Sequence, residues 1–236
     1  NGHVFSAPNL FWADVPLRNE LESLLGMRVM LENDANAFVM AEFCAGAAKG
    51  CKDVLGVTLG TGVGAGVIAG GKLVRGANHM AGELGHMVLY PGGLPCNCGH
   101  RGCFEQYASA RALARMGMAA AAADPDGRLA AGRENADGIS ARWIVVCAQE
   151  GDAQALRIWN DYVEALALGL SNALRLLDSE KVVLGGGVAR AGDFLLRPLK
   201  AKLNDLTIGQ KYAVDCAGLG MWAGVVGAAM AAREQG

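Results

Sequence analysis

Three cysteines and one histidine that can bind a single metal ion lie close together near the middle of the chain: His86, Cys96, Cys98 and Cys103. Tetrahedral zinc binds such a set, with Zn–S distances of about 2.3 Å and Zn–N distances of about 2.0 to 2.1 Å. Four protein ligands leave no open coordination position, so this zinc would be structural and would not activate water. The alternative is a group of reduced thiols without a metal, since paired zinc cysteines are more commonly separated by two residues.

The remaining cysteines point away from a disulfide-bonded protein. The chain has seven cysteines, and those outside the cluster are scattered among apolar neighbours: Cys44, Cys51, Cys147 and Cys216. An odd number distributed in this way argues against a disulfide framework. Free cysteine is among the most buried residue types, so we expect these four residues to lie in the core.

The composition is that of a globular protein and argues against several classes of function. Of the 236 residues, 52% are hydrophobic and 19% are charged, and the formal net charge is -2. The 21 Lys and Arg residues are dispersed, which gives no basic surface for nucleic acid. No apolar run reaches the roughly 18 to 20 residues that cross a bilayer. We therefore expect a cytoplasmic protein that binds neither nucleic acid nor a membrane through this chain.

Hydrophobic periodicity predicts an α/β protein without internal repeats. Apolar residues at helical spacing predict helices at residues 17–25, 35–45, 105–121, 139–149, 153–177, 193–203 and 225–233. Runs of strand-forming residues predict strands at residues 28–32, 53–59, 64–69 and 181–184. The second and third of these strands are joined by Gly-Thr-Gly, which predicts a β-hairpin.

Asp34 is the first candidate for a chemical role. It lies in the motif Asn-Asp-Ala-Asn at residues 33–36, between a predicted strand and a predicted helix. Side chains at such a junction reach a cleft, and an Asp there can accept a hydroxyl proton during phosphoryl transfer. On the residues alone, a plain helix N-cap is the better supported interpretation.

Two glycine-rich segments, residues 60–66 and residues 185–187, each follow a predicted strand. Glycine lets backbone N–H groups approach phosphate oxygens because it has no Cβ. The first segment lacks the Gly-Lys-Ser/Thr ending of a Walker A loop and opens no long helix. Each segment alone is a weak signal, and a plain turn explains residues 185–187 equally well. A nucleotide site formed by two parts of the chain, however, needs two such segments whose backbones can lie close to the nucleotide.

Two carboxylates flank the predicted metal ligands. Glu83 lies three positions before His86, and Glu105 lies two positions after Cys103. Solvent exposure is the default interpretation of both side chains. Formation of a metal loop would nevertheless bring both carboxylates toward His86, and paired acceptors around a histidine suit a polyhydroxylated ligand.

Taken together, these motifs resemble the ROK family of bacterial sugar kinases and sugar-responsive repressors, over essentially the whole chain. The most specific stretch is Glu-Leu-Gly-His at residues 83–86 followed by Cys-Asn-Cys-Gly-His-Arg-Gly-Cys-Phe-Glu at residues 96–105. The motifs at residues 33–36, 60–64 and 183–187 resemble the kinase branch, and glucokinases in particular. The resemblance implies an actin-like, ribonuclease-H-like fold of two α/β domains that close over ATP and sugar, and it implies a structural zinc ion.

The resemblance also implies a role for each candidate residue. Asp34 would bind the sugar and act as the catalytic base toward its 6-hydroxyl. The other hydroxyls would be held by Asn33, Glu83, His86 and Glu105. The phosphates of ATP, with Mg²⁺, would face Gly60, Thr61, Gly62 and Gly64, and the adenosine would lie near Gly185, Gly186 and Gly187. Zinc bound to one nitrogen of His86 would aim the other nitrogen at a sugar hydroxyl.

The expected domain organisation also comes from this resemblance. Residues 1–33 would belong to a small α/β domain, residues 34–223 would form a large domain with a zinc loop at 86–103, and residues 224–236 would form a helix that returns toward the small domain. Kinases of this family begin with a strand and an Asp-x-Gly-x-Thr phosphate loop, which are not found here. We therefore expect these 236 residues alone to be impaired in catalysis. The family also suggests a homodimer or a dimer of dimers.

Two other functions are compatible with the sequence. A sugar-responsive repressor would have its DNA-binding domain outside this chain, but such relatives commonly lose the base and the phosphate-loop glycines, which are present here at Asp34 and residues 60–62. A zinc-stabilised carbohydrate-binding module would carry out no chemistry. Among substrates, glucose is the first expectation, and the alternatives are N-acetylmannosamine, N-acetylglucosamine, fructose and allose.

Overall fold

A five-stranded mixed sheet forms the centre of the fold. The computed structural model describes residues 2–7, 11–132 and 138–235. The strands of the sheet are β3 (Val54–Leu59), β4 (Val63–Ala69), β5 (Lys72–Leu73), β6 (Lys181–Gly185) and β7 (Ala213–Cys216). They lie in the order β5-β4-β3-β6-β7, in which β3, β6 and β7 are parallel and β4 is antiparallel to both its neighbours. A separate antiparallel hairpin pairs β1 (Val4–Ala7) with β2 (Trp12–Val15).

Helices cover both faces of the sheet. In chain order they are α1 (Leu17–Leu25), α2 (Asp34–Ala45), α3 (Glu105–Ala108), α4 (Ala110–Ala123), α5 (Ala141–Gln149), α6 (Ala153–Leu177), α7 (Asp193–Leu206) and α8 (Ala223–Gln235). Successive residues of a strand point to opposite faces. Val182 and Leu184 accordingly join the core with α4 to α7, whereas Val183 joins the core with α2 and α8. Among the described residues, no helix combines the length and apolar character needed to span a bilayer.

Glycines allow α2 to pack unusually close to its neighbours. A Cβ added at Gly56 or Gly66 would lie 2.7 or 2.6 Å from side-chain atoms of Val39. On the other side of α2, a Cβ added at Gly227 of α8 would lie 1.7 Å from the carbonyl oxygen of Ala37. No side chain fits at these glycines without a shift of the backbone, so α2 is held firmly between the sheet and α8.

Most of the predicted elements are present, and α1 ends as expected at Gly26, which adopts the left-handed conformation. The predicted strand at 28–32 is wrong, because a strand needs a hydrogen-bonded partner and the N–H of Val29 instead donates to Glu22 Oε1 of α1. The predicted helix at 105–121 is broken at Ser109, whose extended backbone and side chain cap α4. The expected core location is wrong for Cys44, which is exposed.

Candidate functional site

The two glycine-rich segments meet at one edge of the sheet. Because β3 and β6 are parallel, with Thr58 opposite Gly185, their carboxyl ends lie side by side. Gly186 has a positive φ of 87°, and a Cβ there would lie 2.4 Å from the carbonyl oxygen of Leu59. This contact places the segment at 185–187 directly against the end of β3, where the segment at 60–66 begins.

The amino end of α2 lies against the same hairpin. A Cβ at Gly64 would lie 3.2 Å from Cβ of Ala35, and one at Gly66 would lie 2.8 Å from the Ala35 carbonyl oxygen. The N-cap of α2 is Asn33, whose side chain accepts hydrogen bonds from the N–H groups of Ala35 and Asn36 at 2.9 and 3.1 Å. Asp34 is therefore not the cap. It is an exposed carboxylate in the first turn, where the helix dipole favours negative charge.

A partly buried ion pair holds the start of α2 in place. Glu32 Oε2 accepts hydrogen bonds from Nε and Nη2 of Arg75 at 2.9 and 2.8 Å. Glu32 Oε1 accepts from the Asn36 side chain at 2.9 Å. Since Asn36 is 5% exposed, and the side chains of Glu32 and Arg75 are 10% and 24% exposed, this network is partly shielded from solvent and fixes the segment that leads into Asp34.

The predicted metal ligands form one cluster. One ligand atom from each of His86, Cys96, Cys98 and Cys103 lies within 4.8 Å of all the others. The sulfurs of Cys98 and Cys103 are 3.6 Å apart, and Cys96 Sγ is 3.7 Å from His86 Nδ1. Ligand atoms at the corners of a zinc tetrahedron are separated by about 3.5 to 3.8 Å. Both the donor types and these distances therefore fit tetrahedral zinc.

The protein environment favours different protonation states of the three thiols. The backbone and the ring of His100 lower the pKa of Cys98 to about 6, since both stabilise its thiolate. Burial raises the pKa of Cys103 to about 12, and burial also raises the pKa of Cys96. A zinc ion bound here would displace protons from thiols that the metal-free protein keeps neutral.

His86 separates the cysteine cluster from the predicted sugar site. Its Nδ1 atom faces Cys96, whereas its Nε2 atom lies 3.9 Å from Glu83 Oε2. Both His86 and Glu83 are close to half exposed. One ring nitrogen can therefore bind a metal while the other remains available to a ligand that also contacts Glu83.

Glu105 lies between the cluster and the glycine loop. Its Oε1 atom is 3.2 Å from Cys96 Sγ, and its Oε2 atom would be 2.7 Å from a Cβ at Gly62. The turn that carries Glu83 also reaches the hairpin, because a Cβ at Gly82 would lie 2.4 Å from the Ala65 carbonyl oxygen. Both this turn and the start of α2 thus pack on residues 64–66 of β4.

The tail of the cysteine loop is anchored in the core. Phe104 is fully buried, and its ring occupies the space that a side chain at Gly169 of α6 would fill, 2.3 Å from that Cβ position. The hydroxyl of Tyr107 accepts a hydrogen bond from the Leu94 N–H at 2.8 Å. α3, which carries Tyr107 and Glu105, therefore packs against the cysteine loop and helps to hold it in place.

Two cavities, which sequence reasoning missed, open beside Gly187. One has a volume of about 610 Å³ and is lined by Ala110, Ala141, Arg142, Val145, Val146, Gln149, Gly187, Val188, Arg190 and Ala191. The other has a volume of about 300 Å³ and is lined by Leu184, Gly186, Gly187, Ala189, Arg190, Cys216, Ala217, Gly220 and Met221. The lining of the larger one is mainly apolar and could not be recognised in the sequence, because its α5 residues show only ordinary helical amphipathicity.

Comparison with known proteins explains why these features occur together. The model of the ROK family matches residues 1–235. The chain belongs to the ROK family. It is 40% identical to the glucokinase of Streptomyces coelicolor over 98% of this chain and 75% of that protein. It is 32% identical to the xylose repressor of Caldicellulosiruptor bescii, over 86% of this chain and 51% of that protein.

A solved structure gives the same relationship. The ROK family glucokinase of Streptomyces griseus, in complex with glucose and AMPPNP, superposes with a TM-score of 0.89 at 39% identity, over 99% of this chain and 77% of that one. The fold is thus the actin-like α/β fold that the resemblance to the ROK family implies.

Proposed function

We propose that this chain belongs to a sugar kinase that transfers the γ-phosphoryl group of ATP to the 6-hydroxyl of a hexose, with glucose as the first substrate. The observation that carries the proposal is the convergence of α2, the Glu83 turn and Glu105 on the hairpin of β3 and β4. This arrangement supplies a carboxylate base, hydroxyl acceptors and a glycine-rich loop at one edge of the sheet. The glucokinase relatives support the same reaction.

In the proposed reaction, Asp34 accepts the proton of the 6-hydroxyl as that oxygen bonds to the γ-phosphorus. The bond from phosphorus to the bridging oxygen of ADP breaks, which leaves ADP and a sugar 6-phosphate. The other hydroxyls are bound by Asn33, Glu83, His86 Nε2 and Glu105. The exposure of Asp34 in the first turn of α2 supports its role, because the N-cap function is already taken by Asn33.

We assign the nucleotide to the glycine-rich edge and to the two cavities beside it, of about 610 and 300 Å³. The phosphates face Gly60, Thr61, Gly62 and Gly64, and the adenosine lies by Gly185, Gly186 and Gly187. ATP would bring Mg²⁺, which would offset charge on the transferred group. His86 and the three cysteines would hold a structural Zn²⁺, which would keep the imidazole oriented toward the sugar.

A repressor is the second candidate, because a xylose repressor is among the relatives. The identity to the glucokinase is higher and extends over more of this chain, which favours the kinase. The presence of Asp34 and of the glycines at 60–64 favours it as well, since a repressor needs neither.

An ADP-release assay with zinc-loaded full-length protein tests the proposal across glucose, N-acetylmannosamine, N-acetylglucosamine, fructose and allose. We expect turnover that depends on both ATP and sugar, with the highest kcat/KM for glucose. Asp34→Asn protein prepared in parallel controls for contaminating kinases. Sugar binding without turnover of any of the five sugars would contradict the kinase. A thermal shift with sugar that Mg-ATP does not change would then favour the repressor.

We also propose that a small domain ends at residue 33 and that the protein forms a homodimer or a dimer of dimers. The proposed helix at 224–236 returns toward the small domain, which is supported by the packing of α8 against α2, because α2 begins directly after the proposed boundary. Light scattering at several protein concentrations tests the dimer, and a mass equal to one chain throughout would contradict it.

A further inference from the structure

Glu42 is a fully buried carboxylate that the proposed reaction does not use. It lies near the end of α2 and is 0% exposed. Its Oε2 atom accepts hydrogen bonds from the N–H groups of Ala47 at 2.7 Å and Gly218 at 2.9 Å. Its Oε1 atom accepts from the Leu219 N–H at 2.9 Å. The side chain thus joins α2 to a segment that is distant in the sequence.

This location is unfavourable for a carboxylate unless hydrogen bonds offset the cost of burying its charge. Burial of a charge is costly, and the C-terminal end of a helix carries partial negative charge. Among the described residues, backbone N–H groups rather than a cation satisfy Glu42. Gly46 leaves space for the side chain, because a Cβ at Gly46 would lie 2.1 Å from Glu42 Oε2.

The segment bound by Glu42 forms one wall of the cavity of about 300 Å³. Ala217, Gly220 and Met221 line this cavity together with Gly186 and Gly187. Gly218 and Leu219, the two residues that Glu42 holds, lie in the middle of the wall segment. The position of the Glu42 carboxylate therefore sets the separation between this segment and the glycines at 186–187.

Glu42 also belongs to the helix that carries Asp34. The two residues are separated by about 12 Å along the axis of α2, at 1.5 Å per residue. α2 is packed against β4 and α8 without room for sliding, as its contacts with Gly66 and Gly227 indicate. A rigid helix thus carries the proposed base at one end and holds the cavity wall at the other.

We propose that Glu42 is a positioning residue that fixes the wall at 217–221 relative to the helix of Asp34, and so sets the affinity for the nucleotide but not for the sugar. This inference rests on the proposed function, since it assigns the cleft at Gly186 and Gly187 to the phosphoryl donor. Glu42 contacts neither substrate and acts only through the backbone of residues 218–219.

The test compares Glu42→Gln with wild-type protein by calorimetric titration with Mg-AMPPNP and with glucose. The amide has the shape of the carboxylate, but it replaces one acceptor by a donor and leaves an N–H group of the segment without its charged partner. We expect about tenfold weaker AMPPNP binding and a similar rise in KM for ATP, with the glucose dissociation constant and kcat unchanged within twofold.

A matched control separates positioning from general loss of stability. Thr207 is buried and lines neither cavity, and its hydroxyl lies within hydrogen-bond distance of the carbonyl oxygens of Leu203 in α7 and of Gln210. Thr207→Val is expected to lower the melting temperature while leaving AMPPNP affinity at the wild-type value. An equal loss of AMPPNP affinity in both variants, or an equal loss of glucose and AMPPNP affinity in Glu42→Gln, would overturn the proposal.

A second variant and a wild-type measurement keep the inference testable if Glu42→Gln does not fold. Gly46→Ala displaces the carboxylate without removing its charge and is expected to weaken AMPPNP binding in the same direction. If neither variant folds, hydrogen exchange of wild-type protein is measured with and without AMPPNP. The inference is overturned if AMPPNP does not change the protection of the amides at residues 217–222. Failure of wild-type protein to bind AMPPNP contradicts the proposed function as well, whereas wild-type affinity in both variants contradicts this inference alone.

Discussion

The start of α2 and the Glu83 turn, which leads into the cysteine loop, both pack on β4, but α2 and the loop are held in place by different forces. α2 is buried along residues 35–42 and packs on glycines of the sheet and of α8. The loop from 87 to 103 has little regular structure, with bridges at Val88–Cys103 and Pro95–Arg101, and its three cysteines meet at the candidate metal cluster. In the proposed function, the base Asp34 lies on the α2 side, whereas Glu83 and His86 would bind the sugar from the side of the cysteine cluster.

Asp34→Asn is expected to have the largest effect, on the α2 side. The amide keeps an acceptor for the helix but cannot take a proton from a hydroxyl, so kcat should fall by about a thousandfold. Glucose affinity, measured by titration, should stay within threefold. Asp193→Asn is the matched control, because Asp193 also lies in the first turn of a helix and is exposed. Retention of a tenth of kcat in Asp34→Asn would remove the base from the mechanism.

Cys98→Ser tests the loop side and should change binding and stability together. The variant loses a metal ligand, so we expect loss of bound zinc, a lower melting temperature and about tenfold weaker glucose binding. Zinc content, thermal unfolding and titration measure these three quantities. Cys44→Ser, at an exposed cysteine outside the cluster, provides the control. Normal glucose affinity in metal-free protein would show that the two halves of the site are not joined through His86.

Gly186→Ala has the smallest expected effect and tests how rigid the sheet edge is. Gly186 has φ +87°, and a methyl group there would meet the carbonyl of Leu59, so we expect a loss of about 1 to 3 kcal/mol in the free energy of unfolding. Gly187→Ala is the control, since Gly187 has φ -63° and open space around its Cβ position. Equal stability of the two variants in urea unfolding would mean that the backbone at this edge of the sheet can shift to accommodate the methyl group, and that the edge is not rigid.

The elements that local chemistry determines were predictable from the sequence. Helices with periodic apolar residues and distinct ends, such as α1 and α6, are found at the predicted bounds. The hairpin of β3 and β4 was predictable for the same reason, because its turn glycines lie next to the strands. β7 was not, since its four residues become a strand only by pairing with β6, which a local pattern does not reveal.

Part of the candidate site was likewise predictable from the sequence, and part was not. The spacing of His86 and the cysteines predicted a cluster, which is present. The Glu42 contacts were not predictable, since they join α2 to residues 218 and 219 and depend on how α8 and its preceding loop return to the sheet. A charged residue within the apolar run of α2 was the visible signal, but it did not identify the partners.

The contact between Phe104 and Gly169 restricts how this sequence can change. The ring of Phe104 occupies the position of any side chain at residue 169. A family member with a larger residue at 169 must therefore carry a smaller one at 104, and the two substitutions must be acquired together or through a less stable intermediate. Positions 104 and 169 should accordingly vary as a pair among homologous sequences, even though one follows a metal ligand and the other lies in the middle of a helix.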